Sequence, residues 1–152
     1  MVKVRPALVG RAGELLVAAE LLRQGVEVAL PAFDHGIDLI AYRLPGGQWP
    51  YAKFVPIQVK AASGTNFNFQ KTWFMRVTGV VLVHVWNIIT IPEFYIFDGV
   101  ESAEATLGPQ HTQTSSWRDK GGYTVTHPGE EHRKRMNQNR DKWSRITDQL
   151  KS

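Results

Sequence analysis

Two short apolar segments on either side of a turn constrain the fold of this chain more than any other feature. Ile37–Arg43 and Phe54–Ala61 are rich in the aliphatic and aromatic residues of strands, and residues 44–50 between them read LPGGQWP. Proline and glycine in such density favour a turn, although Pro56 weakens pairing on one edge of its strand. The pattern predicts an antiparallel hairpin.

Helical and strand patterns around the hairpin predict the remaining architecture. An apolar stripe at helical spacing predicts a first helix over 7–24, and a basic helix is predicted at about 130–150. The stripe of the first helix consists of Leu8, Ala12, Leu15, Ala19 and Leu22. Further strands are predicted at Val26–Leu30, Thr72–Val77, Val80–Trp86, Phe94–Phe97 and Tyr123–Thr126, a short helix at Gly99–Leu107, and loops at Ser63–Asn68 and Gly108–Ser116. This order predicts an α/β fold in which helices flank a central mixed sheet.

Composition limits the classes of protein that fit. The 152 residues suit a single domain spanning 1–152. The absence of cysteine excludes disulfides and thiolate-bound zinc. No apolar segment has the length of a membrane span or the form of a secretory signal, so we expect a cytoplasmic protein. The net charge of +4 and the pI of about 9.5 fit a polyanionic partner.

Polar side chains within the apolar hairpin strands are the candidates for chemistry. Gln58 and Lys60 point to the same side of their strand, since strand side chains alternate. If the hairpin is symmetric about Gln48, the numbers of paired residues add to about 96, twice 48. Asp38 then lies opposite Gln58, with Cβ atoms roughly 5 Å apart.

A carboxylate and an amide oxygen at the edge of a strand can hold a hard divalent cation, because Mg²⁺ prefers oxygen ligands. The carbonyl of Val59 is a further candidate ligand. Lys60 beside such a metal can orient a water and stabilise charge on a phosphate. Glu14 on the first helix has apolar helical neighbours, so its carboxylate borders the core and needs a partner.

Three segments together resemble the PD-(D/E)XK nuclease superfamily: GRAGE at 10–14, GIDLI at 36–40 and IQVK at 57–60. The resemblance extends over roughly residues 7–100. It is greatest to archaeal Holliday-junction resolvases and Mrr-type restriction endonuclease domains, and it implies a restriction-endonuclease-like fold.

The resemblance also implies a role for each matching residue. Asp38, Gln58 and Glu14 would be metal ligands together with the Val59 carbonyl, and Lys60 would assist the attacking water. The reaction would be hydrolysis of DNA by a water that Mg²⁺ or Mn²⁺ activates, without a small-molecule cofactor. Gln58 departs from the acidic residue frequent at its position and lowers the expected affinity for metal, because an amide supplies an oxygen but no charge.

Other polar residues are candidates for contact with DNA, either around the proposed site or on the basic C-terminal helix. Trp73 is the candidate for stacking on an unpaired base. The nucleic-acid-binding candidates are His35, Lys71, Trp73, Arg76, Arg133, Lys134 and Arg135. Each also has an ordinary structural interpretation, as a loop histidine, a packed sheet residue or a charge on a solvated helix face.

Alternative interpretations remain for the site and for the function. Asp38 can be a carboxylate that caps a strand, Gln58 and Lys60 can lie on a solvated strand face, and Glu14 can be a helix-surface acid near Arg11. The fold can then belong to a catalytically decayed module that binds DNA or a protein. A third possibility is an interaction protein, a homodimer for example, whose interface is formed by the aromatic strands at 80–86 and 94–97.

Overall fold

The computed structural model describes residues 3–33, 35–47 and 52–151. Gln48, Trp49 and Pro50 of the predicted turn lie outside these ranges. The helices are α1 Pro6–Arg23, α2 Lys71–Met75, α3 Val100–Leu107, α4 Pro109–Thr112, α5 Ser115–Arg118, α6 Glu130–Asn137 and α7 Ser144–Thr147. The strands are β1 Glu27–Ala29, β2 Leu39–Arg43, β3 Lys53–Ala61, β4 Phe67–Gln70, β5 Val81–Trp86, β6 Glu93–Phe97 and β7 Gly122–Val125. Short 3-10 turns span Pro45–Gly47 and Asp148–Leu150.

Within these ranges, five strands form a mixed sheet in the order β1-β2-β3-β5-β6. Neighbouring strands are antiparallel, apart from β3 and β5, which run parallel and therefore need a crossover connection. β4 and β7 form a separate antiparallel pair. The predicted α/β class, with a mixed central sheet flanked by helices, is confirmed.

The register predicted for the hairpin is also confirmed. Leu39 pairs with Ile57 and Arg43 pairs with Lys53, so the numbers of paired residues add to 96. The pairing ends at Leu39 and Ile57, so the predicted opposition of Asp38 and Gln58 lies one residue beyond it, where Asp38 donates its N–H to the carbonyl of Ile57.

The sheet separates two apolar clusters, and β3 contributes alternate residues to one of them. Ile57 and Val59 belong to the first cluster, which includes the inner face of α1 and the last turns of the chain. Leu82 and Trp86 of β5 belong to the second cluster, with β4, α2 and α3. Gln58 and Lys60 point to this second side.

The inner face of α1 differs from the stripe predicted from the sequence. Its buried residues are Val9, Gly13, Val17 and Leu21. Leu8, Leu15 and Leu22 of the predicted stripe are instead 59%, 51% and 58% exposed. Apolar residues occupy most of the circumference of α1, so their spacing alone does not select the face that packs. Gly13 determines which face of α1 packs on the sheet, because the small residue lets the helix approach Ala61 closely.

The crossover between β3 and β5 contains a helix where a strand is predicted. The prediction of a strand at Thr72–Val77 is wrong, since α2 occupies Lys71–Met75. Trp73 is 8% exposed and packs in the second cluster, so burial of this side chain fixes α2 against the sheet. The predicted loops are only partly irregular, because β4 begins at Phe67 and α4 lies within 108–116.

The basic C-terminal segment is not the single helix predicted at 130–150. α6 ends at Asn137, and Asp141 adopts a positive φ of 52°, a conformation that ends a regular helix. Ile96 donates its N–H to the carbonyl of Asn139, and Asp141 donates to the carbonyl of Phe94. The backbone here bonds the edge strand β6 instead of continuing a helix.

A dimer face on the aromatic strands, the third possibility above, does not agree with the structure. Every residue of β5 is buried, and Tyr95, Ile96 and Phe97 of β6 are at most 1% exposed. These side chains form the core and leave no apolar surface there for a partner. Among the helices of the described residues, none combines the length and the hydrophobicity needed to cross a bilayer.

Candidate functional site

Asp38 lies immediately before β2. At this point β3 extends beyond Ile57, its last residue paired with β2. Its amide donates a hydrogen bond to the carbonyl of Ile57 at 2.9 Å, and its Oδ2 accepts one from the N–H of Val59 at 2.6 Å. The N–H and the C=O of one strand residue point to the same neighbouring strand. The carbonyl of Val59 is therefore directed to the side on which Asp38 lies.

Gln58, on β3 between the two residues that bond Asp38, carries an unsatisfied oxygen. The residue is 4% exposed, and its Oε1 has no hydrogen-bond partner within the described residues. Arg43 Nε and Trp86 Nε1 are also buried without a hydrogen-bond partner among the described residues, but both are donors. A buried acceptor without a partner costs about 1–3 kcal/mol, and a bound cation would remove this cost.

Glu14 and Asp38 line one cleft of about 230 Å³, together with Arg11 and the segment before the hairpin. Glu14 accepts a hydrogen bond from Nη1 of Arg11 at 2.7 Å, and its side chain is 24% exposed. The structural interpretation of Glu14, an acid paired with Arg11, is therefore also present. A larger cleft of about 690 Å³ lies at the other end of β2 and contains none of the predicted site residues.

Lys60 rests on an aromatic ring. Its Nζ lies 4.7 Å from the centroid of the Trp73 ring, which is within the range of a cation–π interaction. Its partner on β5 is His84, and burial lowers the pKa of His84 to about 4, against a hydrogen bond to the Asn68 carbonyl that raises it. His84 is therefore neutral near pH 7, and no second charge opposes Lys60 across the strand pair.

The candidates for contact with DNA are found in different situations. Trp73 is buried under Lys60 and does not present its ring to a base. Lys71 Nζ lies 5.1 Å from the centroid of the buried Trp117 ring. His35 and Arg76 are exposed near the proposed site.

The three basic candidates of α6 also differ among themselves. Arg133 donates to the carbonyl of Pro128 and to Thr65. Arg135 donates to the carbonyl of Leu107 at the end of α3. Lys134 is exposed, as Arg133 is, but its side chain forms no hydrogen bond within the described residues.

A pair of histidines was not predicted from the sequence. Nε2 of His111 and Nε2 of His132 are 2.8 Å apart, so one nitrogen donates to the other. Burial lowers the pKa of both groups. They are 21 residues apart without a spacing typical of metal ligands, and only the packing of α4 near α6 shows the contact.

The donor set near Asp38 fits Mg²⁺ or Mn²⁺ better than a softer metal. Within the described residues, no three histidine or acidic side chains come together as a metal-binding group. The candidate oxygens are the Glu14 and Asp38 carboxylates, which line one cleft, and two groups of β3 that do not line it, the amide of Gln58 and the carbonyl of Val59. Mg²⁺ accepts such a mixed set because it retains several waters.

Comparison with known proteins finds no matching family model, no matching curated protein and no matching solved structure.

Proposed function

We propose that this chain is a metal-dependent endonuclease of the PD-(D/E)XK type, with a restriction-endonuclease-like fold, that hydrolyses phosphodiester bonds in DNA. One observation carries the proposal. At the junction of β2 and β3, the Asp38 carboxylate accepts the N–H of Val59, and the preceding residue, Gln58, has a buried side-chain oxygen that lacks a hydrogen-bond partner among the described residues. Glu14 adds a second carboxylate in the same cleft.

Each residue has a defined task in this proposal. Asp38, Glu14, Gln58 and the Val59 carbonyl would hold Mg²⁺ or Mn²⁺. The bound metal supplies a water of lowered pKa and neutralises charge on the phosphate. Lys60 keeps a fixed positive charge beside this position, because the Trp73 ring holds its ammonium group, and this charge stabilises the anionic phosphate.

The main alternative is a catalytically decayed module that binds DNA or a protein without cleavage. Internal contacts of the charged groups favour it: Glu14 pairs with Arg11 and Asp38 accepts from Val59. Gln58 contributes no charge, so metal binding must compete with these contacts using only two carboxylates.

A cleavage assay with matched variants tests the proposal. Glu14 and Glu20 form a controlled pair on α1, because each bonds an arginine three residues away and their side chains are 24% and 25% exposed. Only Glu14 lines the cleft with Asp38. We expect Asp38→Ala to abolish metal-dependent cutting, Glu14→Gln to reduce it and Glu20→Gln to match the parent, over linear, branched and single-stranded DNA.

Two further results separate the proposal from its alternative. Mg²⁺ should raise the melting temperature of the parent but not of Asp38→Ala, because a ligand of the folded state stabilises it by mass action. A folded parent that cuts none of the DNA forms with Mg²⁺ or Mn²⁺ would favour the decayed module. Cutting by Asp38→Ala at the rate of the parent would show that the site is wrongly assigned.

A further inference from the structure

Arg76 lies over the loop that leads into β2. A Cβ built on Gly36 would lie 3.1 Å from Nη1 of Arg76 and 3.8 Å from Nε2 of Gln58. These two nitrogens are thus separated by no more than the combined 3.1 and 3.8 Å. Gly36 also has a φ of +84°, so a larger residue there would be strained and would push the guanidinium away.

The position of Arg76 follows from the way α2 crosses β3. Lys60 contacts Trp73, and Gln58 lies near Arg76. Residues two apart on a strand share a face, and residues three apart on a helix do so as well. The chain therefore runs in opposite directions in β3 and in the segment from Trp73 to Arg76. Because Trp73 is buried in the second cluster, the position of Arg76 beside Gln58 is fixed as well.

The guanidinium of Arg76 has no polar partner among the described residues. It is exposed, and it forms no ion pair or side-chain hydrogen bond there. By contrast, Arg11 bonds Glu14 and Lys60 rests on Trp73. Among the described residues, Arg76 contacts neither an acid nor an aromatic ring, unlike Arg11 and Lys60.

We propose that Arg76 binds the phosphate group of DNA at the Asp38–Gln58 site, an inference that rests on the proposed function. A guanidinium matches phosphate in shape and can donate two parallel hydrogen bonds. The uncharged amide of Gln58 is compatible with this role of Arg76. A carboxylate at this position would lie beside Arg76, pair with it and neutralise the charge that the phosphate requires.

The test is DNA binding without metal. A short fluorescein-labelled duplex and a single strand of the same length are titrated in EDTA by fluorescence anisotropy, at several salt concentrations. We expect Arg76→Ala to weaken binding about tenfold, the factor that corresponds to about 1.4 kcal/mol. We expect the salt slope to fall by about one, because one phosphate contact is lost.

Two variants serve as controls. Lys142→Ala also removes one exposed positive charge, but next to Trp143, which packs on the other side of the sheet. It should bind as the parent does. Arg76→Lys should retain the salt slope and lose part of the affinity, because an ammonium keeps the charge without the paired donors.

The outcomes separate this inference from the proposed function. Binding by Arg76→Ala equal to that of Lys142→Ala would overturn the inference, even if the parent cuts DNA. A lower melting temperature with an unchanged salt slope would show a structural partner of Gln58 instead, and would overturn it too. If the parent binds DNA through Arg76 but does not cut it, the inference is supported and only the proposed nuclease activity is overturned.

Discussion

Replacing Gly13 with alanine tests how closely α1 approaches the sheet. The added Cβ would lie 2.5 Å from Cβ of Ala61 and 3.6 Å from Cγ1 of Val59. Carbon atoms in contact are normally about 3.5–4.0 Å apart, so α1 and β3 must separate by about 1 Å. Gly10 in the same helix has nothing within 4 Å of its added Cβ.

The matched pair isolates the steric cost. Alanine is favoured over glycine inside a helix by about 1 kcal/mol, and this gain applies to Gly10→Ala and Gly13→Ala alike. Overpacking costs about 1–3 kcal/mol and applies to Gly13→Ala alone. We expect Gly10→Ala to be more stable than the parent, and Gly13→Ala to be about 1–3 kcal/mol less stable than Gly10→Ala.

Urea unfolding measured by circular dichroism gives both free energies of unfolding, with equal m-values showing that two-state behaviour is retained. Equal stability of the two variants would refute the close approach at Gly13. Because Glu14 is the next residue, the separation of α1 from β3 should also displace its carboxylate from Asp38. Reduced cleavage by Gly13→Ala with normal cleavage by Gly10→Ala would link the packing to the proposed site.

Two further predictions concern charge. Gln58→Glu should tighten Mg²⁺ binding in a calorimetric titration, and more so when combined with Arg76→Ala, because the new carboxylate then has no cation beside it; weaker binding in both variants would exclude position 58 as a metal ligand. His84 has a pKa lowered from 6.5 to about 4, so between these values the unfolded chain binds more protons than the folded one and stability falls as pH falls. The loss amounts to about 3 kcal/mol at most, and His84→Gln should flatten this pH dependence of the unfolding free energy; an unchanged slope would contradict it.

The hairpin could be predicted from the sequence because its geometry is local. Its strands are neighbours in the sequence and pair without a bulge from Leu39 and Ile57 to Arg43 and Lys53, so simple symmetry about Gln48 predicted the correct partners. The opposition of Asp38 and Gln58, predicted from the same symmetry, lies one residue beyond the last of these pairs and stays a prediction. The orphaned oxygen of Gln58 could not be predicted, since it depends on every group that surrounds it.

Other features depend on distant packing, and the sequence pattern predicted them poorly. The break after Asn137 arises because the segment around Asn139 bonds β6, which no helical periodicity can reveal. Likewise, α2 is fixed by Trp73 entering a cluster built mainly from other elements. The approach of Arg76 to Gly36 depends on this crossover and has no local signal apart from the glycine itself.

The place of the last turns of the chain in the first core cluster has a consequence for synthesis. Trp143, Ile146 and Leu150 pack there with β3 and β5, and they are synthesised after both strands. Until then, one face of the sheet lacks part of its apolar cover, and uncovered apolar surface of this kind favours aggregation. The growing chain can therefore display a complete hairpin while its core is still open, and the core closes only as synthesis passes Leu150.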